Sequence, residues 1–321
     1  MLLLLACTSA PTSPGKDSPG DSPTAHSSPD DSAPVAWEGY GLMSLNLHCF
    51  KVEGTPYTDN DARFAAIAAE AAARNVAALA VQEACANQAE GDEMTRLAAA
   101  LKATDGQEWQ TARVVVHTAW EGTADEAEEG VGLLLRAAPI EAVVLDYAVQ
   151  GALTRRAIAA DLPADRGGLR LISTHLDYND ATARRMQARQ TAVWALQGRP
   201  DAGVLIAGDL NAALGSEPLV DLAAMGFTQL GEPGEPTRID HVLAPAGAPV
   251  VATAELVFDS PETAVSDHPG MVLQLQPAPG GAPALTRLRA DVDPGEGHFL
   301  SLRGSQAPLD WSLGWPAVPT P

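Results

Sequence analysis

Basic residues are scarce in this chain: 20 Lys and Arg stand against 41 Asp and Glu, giving a formal net charge of -21 over 321 residues. The shortage disfavours a protein that grips nucleic acid through a broad basic face, because affinity for the phosphate backbone comes largely from Lys and Arg. An enzyme that visits phosphodiesters through a bound metal is not excluded, since a cation inverts the local field. Cysteine is nearly missing too, with only Cys7, Cys49 and Cys85. Beyond the N-terminal run, no segment approaches the ~20 apolar residues of a membrane-spanning helix. The apolar fraction of 46% is ample for a sizeable core. The length suits two domains or one large α/β domain with appendages.

The opening MLLLLAC, residues 1–7, resembles a bacterial lipoprotein signal, with Leu4, Leu5, Ala6 and Cys7 as the lipobox and Cys7 as the lipidated residue. No Lys or Arg precedes the run, and it falls short of the ~7 to 15 residues of an ordinary signal core; a start site placed too far downstream accounts for both. The resemblance implies an extracytoplasmic protein, either secreted or anchored to the cell envelope through a lipid on Cys7. Residues 8–36 are almost free of large apolar side chains and form a disordered Ser/Pro-rich tether. The main domain is expected over 37–277. A linker and an incomplete β-rich tail follow over 278–321, with Leu288 to Leu302 alternating like a hairpin.

The stretch from Val204 to Ala212, VLIAGDLNA, organises the main domain. Its apolar run suits a buried strand that Gly208 ends by a sharp turn, delivering Asp209 and Asn211 together. Alone, G-D-x-N is also ordinary turn chemistry. Other strand ends carry polar side chains as well. Gly41 to Leu47 is a strand with Asn46 near its end, and Val76 to Val81 delivers Gln82 and Glu83. Trp109 to His117, Val131 to Leu135, Ile140 to Leu145 and Ala157 to Leu162 are further strands, and Leu169 to Thr174 ends in His175. Ile239 to Leu243 carries Asp240, Val250 to Phe258 follows, and Asp267 and His268 precede Met271 to Leu275. Helices start at caps: Asp59 or Asn60, Asp180, and Ser216 with Pro218 in the first turn. Another helix ends over Ala98 to Ala103. The acidic run Glu121 to Glu129 is expected to be a solvated loop. His48, His117, His241 and Trp120 are set aside as structural, His241 because strand alternation points it away from Asp240. Many strands with few helices imply two sheets packed face to face with helices outside.

Carboxylates and amides converging without thiolates suit a hard, oxygen-loving cation such as Mg2+. The ordered segments SLN (44–46), VQE (81–83), STHL (173–176), GDLN (208–211), RIDHV (238–242) and SDHP (266–269) resemble the endonuclease/exonuclease/phosphatase superfamily, of which deoxyribonuclease I is a member. The resemblance implies an α/β four-layered sandwich of two mainly antiparallel β-sheets flanked by helices, and metal-dependent hydrolysis of phosphodiester bonds. It implies Mg2+ as cofactor, with Mn2+ or Ca2+ as alternatives, held by Glu83 with Asn46 and Asp267. It makes His268, held by Asp240, the acid/base histidine. Asp209 and Asn211 would orient the attacking water and the phosphoryl oxygens, and His175 would contact or protonate the other side of the phosphate.

His175 stands where abasic-site endonucleases show an Asn after a V-P pair, so the chain looks more like the deoxyribonuclease I, sphingomyelinase and inositol-phosphatase branches. It has no long basic insertion and no paired-aromatic hairpin for entering membranes. A secreted or surface nuclease acting as a monomer on nucleic acid is the leading expectation. A sphingomyelinase-type phospholipase C or an inositol or small-molecule phosphatase is the alternative, and an inactive surface binding module is a remoter one. Because Asn46 and Glu83 must reach one metal, the loops after their strands run close. Cys49 and Cys85 would then fall within the ~4.4 to 6.8 Å Cα separation of a disulfide.

Overall fold

In the computed structural model, Val204 and Ile206 pack against helices on one side of their strand, while Leu205 and Ala207 pack against a second sheet on the other. A strand covered on both faces has no polar alternation to show, which is why this stretch is a continuous apolar run. The structure describes residues 37–197, 203–231 and 235–278, together with the backbone of short strands at Leu2–Cys7, Leu285–Arg289, Ser301–Leu302, Trp315–Pro316 and Val318–Pro319.

The first half of the domain runs β1 (Tyr40–Asn46), α1 (Asn60–Ala73), β2 (Val76–Asn87), α2 (Glu93–Asp105), β3 (Trp109–Ala119) and β4 (Ala127–Arg136). The second runs β5 (Val143–Asp146), β6 (Arg156–Asp161), β7 (Arg170–His175), α3 (Ala181–Ala195), β8 (Val204–Asp209), α4 (Glu217–Ala224), β9 (Phe227–Gln229), β10 (Asp240–Pro245), β11 (Val250–Val257) and β12 (Gly270–Pro277). One sheet has the order β11-β12-β1-β2-β4-β3, with the two-residue strand Gly91–Asp92 beside the end of β2; the other has the order β9-β10-β8-β7-β6-β5. Both are mainly antiparallel, and each contains one parallel pair, β1 with β2 and β7 with β8. Parallel neighbours need a crossover, and α1 and α3 supply it.

Three cores result. Leu42, Leu133, Leu171, Leu205 and Val242 fill the space between the sheets. Phe64, Ile67, Met94 and Leu97 cover the outside of the first sheet, and Ala188, Val193 and Leu222 cover the outside of the second. The layers are therefore helix, sheet, sheet, helix, as the sequence implies. The helix starts also hold: Asp59 accepts from the Ala62 N–H at 2.8 Å, and Asp180 accepts from Thr182 and Ala183. Ser216 occupies the N-cap without a side-chain bond, leaving Pro218 to favour the turn.

Local differences are informative. The second strand extends to Asn87, well past Val81, because a bulge between Val81 and Ala84 lets pairing with β4 resume. The fifth begins at Val143, not Ile140, since its pairing to β6 starts at Val143 opposite Ala159 and its other side is a sheet edge. The acidic stretch is not all loop: β4 starts at Ala127, and pairing to Cys85 carries Glu129 into the interior. In the tail, Leu285–Arg289 pairs in parallel with Leu2–Cys7, and Ser301–Leu302 pairs with Trp315–Pro316, in place of a hairpin inside 288–302. The tether at 8–36 and most of 279–321 lie outside the described residues. No helix among the described residues is long and apolar enough to cross a membrane.

Candidate active site

The two crossover units deliver their polar residues to one place. Asn46 ends β1, and Glu83 sits at the bulge of β2, one residue past the last pairing with β1; at the C-terminal ends of β7 and β8 stand His175 and Asp209, directly opposite each other in register. Asp240 is the antiparallel partner of Asp209 on the next strand. Ends of parallel strands with crossovers leading away from them leave an open crevice, the usual ligand position in α/β sheets.

On the first sheet, Asn46 is fully buried and donates from Nδ2 to Glu83 Oε1 at 2.9 Å, while its Oδ1 accepts from the His48 N–H at 2.9 Å. Glu83 has φ 47°, a left-handed conformation that the bulge imposes on a non-glycine residue. The loop after β1 also turns left-handed, at His48, Cys49 and Phe50. Cys49 and Cys85 form a disulfide with a Cα separation of 4.9 Å, but only Cys49 lies in a loop; Cys85 lies in the continuation of β2 past the bulge, paired with Glu129. Beneath it lies a fully buried ion pair, Arg63 Nη2 to Glu93 Oε1 at 2.6 Å. Glu93 also accepts from the Phe50 and Cys85 N–H groups, and Arg63 donates to the carbonyls of Leu47 and Val265. One pair thus ties the loop after Asn46 and the end of β2 after Glu83 to the segment leading into His268. Burial pushes the Glu93 carboxyl up to about 7 against the pull of Arg63.

On the second sheet, Gly208 is required: a Cβ there would meet the Thr174 carbonyl oxygen at 1.9 Å, and its φ is 148°. Asp209 Oδ1 accepts from the Asn211 N–H at 2.8 Å, and Asn211 Nδ2 donates to the Leu176 carbonyl at 3.0 Å. Asp209 Oδ2 faces His175 Nε2 at 3.4 Å and His268 Nδ1 at 3.9 Å. Burial and the neighbouring charge of Asp240 lift Asp209 to about 7. His268 Nδ1 lies 2.8 Å from Asp240 Oδ2. Burial works against its charge, but the hydrogen bond to Asp240 and the surrounding carboxylates raise His268 to about 9. His175 is the opposite case: burial and the charge of Arg155 hold it well below the ordinary imidazole value. Across the sheets, Gln82 donates to Ser173 Oγ, which donates to the Val81 carbonyl, so the segment before Glu83 is fixed to the one before His175.

The structure thus gathers Asn46, Glu83, His175, Asp209, Asn211, Asp240 and His268. Asp267 stands apart at the rim, its side chain 52% exposed and 3.5 Å from His48. Ligand-type atoms of Glu83, His175 and Asp209 lie within 4.8 Å of one another, as do those of Asp209, Asp240 and His268. Oxygen donors backed by fixed amides fit a divalent cation, and Asp267 belongs to neither group. His241 is structural: Nε2 lies 2.8 Å from the Ala212 carbonyl and Nδ1 is 3.0 Å from the Gln229 side chain.

Sequence reasoning does not single out Glu129 or Arg155, and sets His117 aside, yet the three stand together. Arg155 Nη1 lies 3.1 Å from both Glu129 Oε1 and His175 Nδ1, and His117 Nε2 is 3.3 Å from Glu129 Oε2. Burial and the charge of Glu83 lift Glu129 to about 7, and burial lowers His117 to about 4. The only sequence signal is that Arg155 immediately precedes the strand that pairs with the His175 strand.

Solved structures share this fold. An endonuclease/exonuclease/phosphatase family protein from Leptotrichia buccalis C-1013-b is 13% identical with TM-score 0.59, covering 74% of this chain and 99% of that one. An endonuclease/exonuclease/phosphatase from Beutenbergia cavernae DSM 12333 is 20% identical with TM-score 0.57, covering 77% and 73%. A mannosyl-6-phosphatase from Bacteroides thetaiotaomicron VPI-5482 is 14% identical with TM-score 0.54, covering 74% and 99%. No curated protein is similar enough in sequence to match. Identities this low show the fold alone, but the profile of the Endonuclease/Exonuclease/phosphatase family matches residues 43–268, most of the chain and all of the site from Asn46 to His268, so the protein belongs to that family.

Proposed function

We propose that the protein is a Mg2+-dependent phosphodiesterase, with nucleic acid as the leading substrate. The observation that carries this is Asp209, set between His268, which bonds Asp240 at 2.8 Å, and His175, 3.4 Å away, opposite Glu83. Groups whose environments push their pKa values apart divide acid from base roles. Asp209, lifted to about 7, takes the proton of the attacking water, which Asn211 helps orient. The His268 imidazolium, with Nδ1 committed to Asp240, offers Nε2–H to a phosphoryl or leaving oxygen. His175 contacts the phosphate from the other side. Glu83 and Asn46 would hold the cation, with Asp267 at the rim; a bound Mg2+ supplies positive charge to the phosphoryl oxygens. Mn2+ or Ca2+ are the substitutes to test.

The disulfide supports an oxidising compartment, and with it the reading of a surface protein anchored through a lipid on Cys7. The likeness to a mannosyl-6-phosphatase, together with the acidic surface, keeps a small phosphate ester as the second reading. The experiment is a panel of plasmid DNA, RNA, sphingomyelin, inositol phosphates and sugar phosphates, with Mg2+ and with chelator. Cleavage of DNA or RNA that chelator abolishes is the expected result. Turnover of sugar phosphates alone would replace the nuclease reading, and undiminished turnover in chelator would remove the metal.

A further inference from the structure

We infer that Arg155 is a positioning residue that fixes His175 as a neutral imidazole with its proton on Nε2. His175 is thereby a hydrogen-bond donor to a phosphoryl oxygen, and neither the acid of the reaction nor a metal ligand. The donor role rests on the phosphoesterase reading; the tautomer does not.

The argument starts from what a guanidinium can do. It carries only donors and stays protonated in proteins. The 3.1 Å contact from Arg155 Nη1 to His175 Nδ1 therefore requires a lone pair on Nδ1. Turning the ring over would set carbon atoms against both Arg155 and Asp209 and lose both contacts. The remaining proton of the neutral ring sits on Nε2, facing Asp209 Oδ2 at 3.4 Å. With one nitrogen accepting from Arg155 and the other protonated, no lone pair is left for a cation. In the Glu83, His175 and Asp209 group the histidine then offers no donor to a cation.

Arg155 also separates His175 from a carboxylate. Glu129 Oε1 lies 3.9 Å from His175 Nδ1, and Arg155 Nη1 stands within 3.1 Å of each. Without the guanidinium, Glu129 would become the acceptor for a proton on Nδ1, as Asp240 is for His268 at 2.8 Å. The two histidines flanking Asp209 are thus given opposite partners. The arrangement is rigid: the Arg155 side chain is 3% exposed, and Gln150 bonds both its N–H, at 2.8 Å, and its carbonyl, at 3.0 Å.

The test reads the ring directly, by nitrogen-15 NMR of the metal-free, isotope-labelled protein at neutral pH. In the wild type, His175 should show an unprotonated Nδ1 and a protonated Nε2. A proton on Nδ1, or an imidazolium, would overturn the inference without bearing on whether the protein hydrolyses phosphoesters. Arg155→Met should swap the tautomer to Nδ1–H, and kcat should fall about 100-fold with KM little changed, the loss expected for one transition-state donor. Arg155→Lys, which restores a cationic donor, should return part of the Nε2–H form and part of kcat. A Met variant that keeps the wild-type tautomer would refute Arg155 as its cause. If that variant does not fold, Glu129→Gln takes its place: it retains the Arg155 contact and should keep Nε2–H, so a swap there would equally refute it. Absence of turnover on every phosphoester would sink the functional reading and leave the tautomer standing on its spectrum.

Discussion

Glu83 combines a strained backbone with a commitment to Asn46, and both make sense if its charge is what the site needs. Glu83→Gln keeps an acceptor for Asn46 Nδ2 and removes that charge at nearly constant shape. Turnover should fall by about 100-fold or more while the unfolding midpoint barely moves. Mg2+ titration calorimetry of the variant should lose the wild-type heat; full activity would show that the cation binds elsewhere. His268 gives a second prediction. Its folded pKa, about 9, lies above the ~6.5 of an unfolded histidine, so the stability it contributes is complete below ~6.5 and is lost as pH rises through about 9. Denaturant midpoints of the metal-free protein should decline across that window. In Asp240→Asn the decline should flatten, and NMR should place His268 nearer 6.5. Unchanged titration in that variant would break the pair. At this scale the strand-end residues are legible because Asn46, Glu83, His175 and Asp209 each close an apolar run, while Asp240 and His268 stand where one begins. Glu129 is not, since it sits in an acidic stretch whose other carboxylates are mostly exposed, and only its pairing across from Cys85 buries it. Arg155 is likewise hidden beside Arg156, which pairs with the exposed Asp146.

At the scale of elements, caps and apolar runs locate helices and strands from local sequence. Strand lengths depend on partners, which is why β2 continues past its apolar run and β5 starts late. The Cys49–Cys85 bridge joins the loop after β1 to the last stretch of pairing in β2, with its cysteines 36 positions apart in sequence. Closing a loop of that size stabilises by roughly 3 to 4 kcal/mol in the chain-entropy account. The Cys49→Ser/Cys85→Ser variant, and the reduced wild type, should lose about that much in denaturant unfolding. Both should also bind Mg2+ more weakly, since the bridge joins the loop after Asn46 to the part of β2 just past Glu83. Identical midpoints with and without reductant would mean that the buried Arg63–Glu93 pair alone holds those segments.

For the whole molecule, the repeated crossover in the two sheets brings the strand ends together, and this could not be read from any segment. Strand order is non-local, so only the layers were legible. Charge, by contrast, is visible at once, and it yields a prediction about substrate. Cations around the site are committed: Arg155 to Glu129, Lys51 to Asp125, and Arg113 to Asp92 and Glu128. A net charge of -21 then repels a polyanion at long range. Salt shortens that repulsion, since the Debye length falls from ~30 Å at 0.01 M to ~8 Å at 0.15 M. A nuclease with a basic face shows the reverse, losing affinity as released counterions are repopulated. With Mg2+ held fixed, kcat/KM on long duplex DNA should therefore rise or stay level over that salt range. On a small aryl phosphodiester of single charge it should change little. A steep fall on DNA would mean that a cationic surface does engage the backbone, and the electrostatic argument would have to be given up even if DNA proved to be the substrate.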